Sequence, residues 1–199
     1  MRTIYFVFLS FLLPLLVSAQ DEDGEPNTLF DQSGAVDIFL GYSLDFISVD
    51  GDMARSRVWS GGVMISNHFM VGGYTSKLKT NNEATFSGLP GLPAQRFSLE
   101  LQQGGVLLGV FTNTNNVVHF GLSSQLGWGR VVWRAENSTQ RIRDNIFSVM
   151  PRAEIRVNLV QGLRFQAFGG YQMLNGYEEP DNGPLDSIAV GAGLILGVF

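Results

Sequence analysis

From about residue 35 onward, apolar and polar side chains alternate with a period of two, and Gly, Asn, Asp and Pro interrupt the alternation at intervals. This is a strand signal; the 3.6-residue period of an amphipathic helix is nearly absent. The alternation places candidate strands at about 35–47, 55–66, 68–79, 97–111, 117–134, 145–158, 162–174 and 187–199. In the first, Val36, Ile38, Leu40, Tyr42 and Leu44 share one face and Asp37, Gly41, Ser43 and Asp45 the other. In the fifth, Val118, Phe120, Leu122, Leu126 and Trp128 oppose His119, Gly121, Ser123, Gln125 and Gly127. In the sixth, Phe147, Val149, Ala153, Ile155 and Val157 oppose Ser148, Arg152, Glu154 and Arg156. In the seventh, Leu163, Phe165, Ala167, Tyr171 and Met173 oppose Arg164, Gln166 and Gln172. Pro151 removes a ladder donor in mid-strand, which predicts a bulge or local break there.

The connections alternate in length. Tight ones are expected at Ser66-Asn67, at Thr112 to Asn116 and at about Asn158 to Gly162; long polar ones at about 48–54, 80–96, 135–144 and 175–186. Short turns at one end and long loops at the other describe an all-β, eight-stranded, antiparallel up-and-down meander that closes into a barrel.

Such a barrel either turns its apolar face inward around a ligand, as lipocalins do, or outward against lipid. Four features favour lipid. Only 16% of residues are charged, against about 25% in soluble domains, and Lys77 and Lys79 are the only lysines, too few for a water-facing wall. An eight-stranded lumen holds side chains only. Small residues with Asp37, Asp45, Glu100, Arg152, Glu154, Arg156 and Arg164 are expected to fill it as a mutually neutralising network, since a buried charge needs a partner. Strands of about 11–13 residues, tilted by about 40°, cover roughly 28–33 Å, enough to cross hydrocarbon. Phe120 with Trp128, and Phe165 with Tyr171, are spaced to sit near two interfacial girdles. Finally, Arg55, Arg57, Lys77, Lys79, Arg96, Arg130, Arg134, Arg141 and Arg143 gather at or near the long-loop end. A cationic outer rim of this kind suits an anionic outer leaflet.

Ahead of the strands, Arg2, an apolar run from Ile4 to Val17 and the small pair Ser18-Ala19 have the layout of a cleaved signal peptide over 1–20. The run is too short for a spanning helix, which needs about 20 residues. Residues 21–34 read as an acidic flexible leader and 35–199 as one barrel domain.

Signal peptide, eight amphipathic strands, short turns, long loops and a terminal Phe199 together resemble the small outer-membrane β-barrel proteins of the OmpA/OmpX type. The resemblance implies a bacterial outer-membrane location, and a C-terminal Phe is similar to the signal read by the insertion machinery. Family members usually carry apolar residues on the face of that Phe. Here Val198, Leu196, Leu194, Val190 and Ile188 form the stronger apolar face, while Phe199 is in phase with Gly197, Gly193 and Gly191.

Chemistry has few candidates. The chain lacks cysteine, which excludes disulfides, thiolate metal sites, a Cys nucleophile and a Cys-anchored lipid, and its net charge of −5 argues against nucleic-acid partners. His119 could join Ser123, with Glu100 on the neighbouring strand, as an acyl-transfer triad. Its place beside a short turn puts it at the end opposite the outer leaflet, and the His-x-Ser element of lipid-modifying barrels is missing because residue 121 is Gly. His68 also sits by a short turn. Gly72-Gly73 and Gly104-Gly105 precede no helix, so they read as kinks and not phosphate loops. No catalysis, no cofactor and no metal are therefore expected. The expected role is structural or interactive, presenting four outward loops, with Leu89 to Pro93 and Tyr177 to Asp181 as contact candidates. The expected partners are the bilayer, anionic outer-leaflet lipid and an unidentified loop ligand, and the expected state is a monomer. Small-solute transport through a porin-like channel and a soluble lipocalin-like carrier are the alternatives.

Overall fold

The structure is a computed structural model; it describes residues 36–49, 52–79, 97–112, 116–135, 141–177 and 186–198. The expected signal peptide and acidic leader, much of the long loops, and Phe199 lie outside the described residues.

Eight strands form: β1 (Val36–Val49), β2 (Asp52–Ile65), β3 (Phe69–Lys79), β4 (Phe97–Phe111), β5 (Val118–Ala135), β6 (Arg141–Val160), β7 (Leu163–Asn175) and β8 (Ser187–Gly197). Each pairs antiparallel with its neighbour in sequence, and β8 returns to β1, so the sheet closes. Pairing can be followed from Asp37 through Met64, Met70, Gly109, Ser123, Arg152, Gly170 and Ala189. It returns to β1 at Ile47, well up the strand from Asp37. A stagger of this size obliges every strand to tilt against the barrel axis.

The tight connections follow from local chemistry. Ser66 and Asn67 both take positive φ (51° and 58°), the backbone of a type I′ hairpin whose twist matches its strands. Gly162 (φ 81°) turns the chain from β6 to β7, where a side chain would be strained. Three boundaries differ from the sequence expectation. β1 and β2 run to Val49 and from Asp52, so that connection is tight although its polar residues resemble a loop. β6 begins at Arg141, and with β5 it forms the longest hairpin, at 20 and 18 residues. At Pro151 the ladder to β7 pairs Val149 with Met173 and Arg152 with Gly170, skipping two residues without changing register. Pro151 thus makes a local break; the register shift lies near the turn, between Asn158 and Val160.

The alternation predicted for β1, β5, β6 and β7 holds, and the apolar face points outward. Val118 (44% exposed), Ile155 (38%) and Leu122 (64%) face out, whereas Arg152 and Arg156 are buried. This excludes a lipocalin-like interior, which needs the opposite orientation. The outer surface carries Val36, Ile38, Leu40, Val71, Leu108, Val110, Phe120, Ile188, Leu194, Leu196 and Val198. Together they give the barrel an apolar outer wall of an extent that soluble monomers rarely expose.

Candidate functional site

The lumen is filled, and it is layered. At its centre Glu154 lies between two guanidinium groups: Arg152 Nη2 at 2.9 Å from Oε1 and Arg156 Nη2 at 2.8 Å from Oε2. Ser123 Oγ donates to Glu154 and accepts from Arg152 Nε at 3.1 Å. On β1, Ser43 Oγ donates to Asp45 two residues on, at 2.7 Å. The guanidinium planes are also supported from below by rings: Arg156 lies 3.8 Å from the Phe111 ring centre and Arg152 lies 4.7 Å from that of Phe168. These rings fit because their neighbours on the inner wall are glycines. A Cβ on Gly121 would collide with Phe111, and one on Gly191 with Phe168.

Arg152, Glu154 and Arg156 thus form one ion cluster, and Asp45 lies on the same inner face, bonded to Ser43. Asp37 and Arg164 point inward at the turn end of the same lumen. Glu100 does not belong to it. Leu99 and Leu101 on either side are buried, so Glu100 lies on the outward face of β4, opposite Lys79. The glycines of β4 blur its alternation, which is why the sequence pattern misplaced it.

A second correction concerns what else fills the barrel. Toward the long loops, Ile47, Ala54, Leu78, Leu99, Leu101, Val131, Trp133, Ile146, Met150, Leu174 and Ala189 form one apolar cluster, with Tyr177 packed against it. Toward the turns, Phe39, Met64, Met70, Leu107, Phe111 and Ile195 form another. The interior is thus an ion cluster between two apolar plugs, where small residues and charges alone were expected.

The triad candidates are not assembled. His119 is buried, edge-on to Phe111 at 6.5 Å. Ser123 is engaged by Glu154 and Arg152, and Glu100 faces the other side of the sheet. His68 sits exposed at the β2–β3 turn, its Nδ1 at 2.5 Å from the Ser66 carbonyl oxygen.

Outside, several cations lie toward the long-loop end. Arg55, Arg57, Lys77, Arg130 and Arg143 are exposed on the outward face. Lys79 is in register with Glu100, and Arg134 with Arg141. Arg96 lies outside the described residues, as do Leu89 to Pro93. Phe120, Trp128, Phe165 and Tyr171 all face outward, as their spacing predicted. Sequence reasoning missed the contact of Tyr42 with Trp59, whose rings meet at 4.8 Å, and the pairing of Trp128 with Phe147 at 5.7 Å. Cross-strand register brings these rings together, and register is not written in any one strand.

No protein-family model matches the chain, and no curated protein matches its sequence. Solved structures do match. Neisserial surface protein A aligns at 14% identity with a TM-score of 0.56, over 82% of this chain and 98% of that one. The N-terminal β-barrel domain of Pseudomonas aeruginosa OprF aligns at 11% identity and 0.51, over 83% and 99%. The chain has the fold of the small outer-membrane β-barrels. A major outer membrane protein of Thermus thermophilus aligns at 11% and 0.50, over 82% and 99%. At these identities the likeness is one of fold, and it extends over nearly the whole of each small barrel.

Proposed function

We propose that this chain is a bacterial outer-membrane protein, exported through a cleaved segment at 1–20, that acts without catalysis as a sealed scaffold holding its long loops outward. The observation that carries this reading is the pairing of an apolar outer wall with a lumen closed by Arg152, Glu154 and Arg156 between two apolar plugs. An apolar wall of this extent is stable only in lipid, where a closed barrel leaves no unpaired strand edge. A lumen filled in this way supports a scaffold over an open channel.

Two measurements test it. On a gel, the folded chain should resist SDS and change mobility on boiling, and it should fractionate with membranes; recovery in the periplasmic supernatant would refute membrane insertion. In planar bilayers it should give no steady conductance. Stable open levels would replace the scaffold with a small-solute channel.

A further inference from the structure

The apolar outer wall is not equally tall all round the barrel. Register rows are inclined by the strand tilt, so depth is read along each strand from its turn end. On β2, β3 and β4 the first charged or amide side chain of the outward face comes eight positions up: Ile65 to Arg57, Phe69 to Lys77, Val110 to Gln102. On β5, β6 and β7 it comes twelve positions up: Val118 to Arg130, Val157 to Asn145, Leu163 to Asn175. β8 matches these from Val198 to Asp186, and the outward face of β1 is apolar from Val36 to Phe46. At about 3.3 Å per residue and about 40° of tilt, the wall is about 20 Å tall on β2 to β4 and about 30 Å tall on β5 to β8.

The short strands are neighbours, so they make one continuous face. That face is also bare: Gly61, Gly73 and Gly104 give it no side chain at three outward positions, and acyl chains there lie against backbone. Tilting the whole barrel cannot absorb the difference in height, because a tilt moves both boundaries of a face together. Either the bilayer adapts to the short face or polar groups are drawn into hydrocarbon. Arg57 and Lys77 have stems long enough to reach back to the surface, but the Gln102 amide has not. Mismatch of this kind costs a fraction of a kcal/mol per ångström, and a bilayer meets a short wall by thinning.

We propose that the β2–β4 face thins the membrane beside it, by about 10 Å relative to the β5–β8 side. The inference rests on the membrane reading above and adds an action of the protein on its bilayer. With the tight turns at the opposite surface, the deficit falls toward the long loops, in the leaflet on that side. Acyl chains of that leaflet shorten by disordering, and the glycines of the short face leave them the room to do so.

The chain lacks cysteine, so single-cysteine variants of the full chain in phosphatidylcholine vesicles each carry one nitroxide label. Lys77→Cys and Val149→Cys are matched in depth, eight positions from Phe69 and from Val157. Immersion is read from collisions with oxygen, which enters hydrocarbon, and with a nickel chelate, which stays in water. Thinning places the label at Lys77→Cys about 10 Å shallower than the label at Val149→Cys. Equal immersion overturns the proposal: the nitroxide is uncharged and cannot be pulled to the surface, so it would show that the bilayer keeps its thickness and that only the native cations reach out of it. A second measurement asks whether the short wall is the cause. R57L/K77L/Q102L continues the wall toward the loops, and a label at Thr75→Cys should sink by about 10 Å in that background. An unchanged depth there also overturns the proposal, and the first pair of labels decides the matter even where the triple variant does not fold. The gel-shift assay on the same samples separates the two levels of inference. A chain that inserts but shows equal immersion overturns only the thinning; one that never inserts overturns the membrane reading as well.

Discussion

The turn half and the loop half of this barrel differ in polarity, chiefly on the outer wall. Toward the turns the outer wall is apolar, with Ile38, Leu108, Leu122 and Leu196 exposed, and inside lie the ion cluster of Arg152, Glu154 and Arg156 and the smaller apolar cluster of Phe39, Met64 and Met70. Toward the loops the outer wall carries Arg55, Arg57, Lys77, Arg130 and Arg143, and the inside is the large apolar cluster around Trp133 and Leu101. One strand shows both arrangements. On β5, Leu122 faces out and Ser123 in, whereas eight positions on Arg130 faces out and Val131 in. The parity of the strand never changes; what changes is the solvent. The turn half is built for hydrocarbon outside, the loop half for headgroups or water outside and a dry core within, like a soluble domain. The longest strands, β5 and β6, belong to this second regime at their loop ends.

Four substitutions probe that contrast. Glu154→Gln should do the most damage, because it strands Arg152 and Arg156 as buried like charges; a loss of about 3–5 kcal/mol is expected in urea unfolding from lipid vesicles. A cost below about 1 kcal/mol would mean that water reaches the cluster. Leu101→Ala removes packing from the loop-end plug and should cost about 2–4 kcal/mol in the same assay, the toll of a soluble-type core. Near-neutrality there would break the picture of a dry outer plug. The smallest pair compares the two outer walls on one strand. Leu122→Arg should cost about 2 kcal/mol by placing a cation against acyl chains. Arg130→Leu should change stability by less than about 0.5 kcal/mol, since it sits where either solvent is tolerated. If the two cost the same, the polarity inversion has no energetic meaning.

Much of this was legible in the sequence because membrane strands write their solvent into alternate positions. The outward faces of β1, β5, β6 and β7 follow from alternation alone, and so does the inward placing of Asp45, Arg152, Glu154 and Arg156. Where both faces are apolar the pattern loses its direction. Leu107 and Leu108 are adjacent and point opposite ways, which adds to the blurring by the β4 glycines that misplaced Glu100. At Val49 and Asp52, and at Arg141, polar residues looked like loop because strand pairing beyond the hydrocarbon needs no apolar face.

Strand number, connection order and the apolar outer wall are properties of single segments: a period of two and its interruptions are local, and each strand carries its own copy. The packing of the lumen and the pairing of rings on the outer wall exist only after closure. Glu154 meets Ser123 across β5 and β6, Arg156 on β6 meets Phe111 on β4 over the intervening strand, and Arg57, Lys77 and Arg130 fall in one register row. Register and shear set those meetings, and both belong to the hydrogen-bonded whole, since sliding any strand by two residues would keep its alternation and change all of its neighbours.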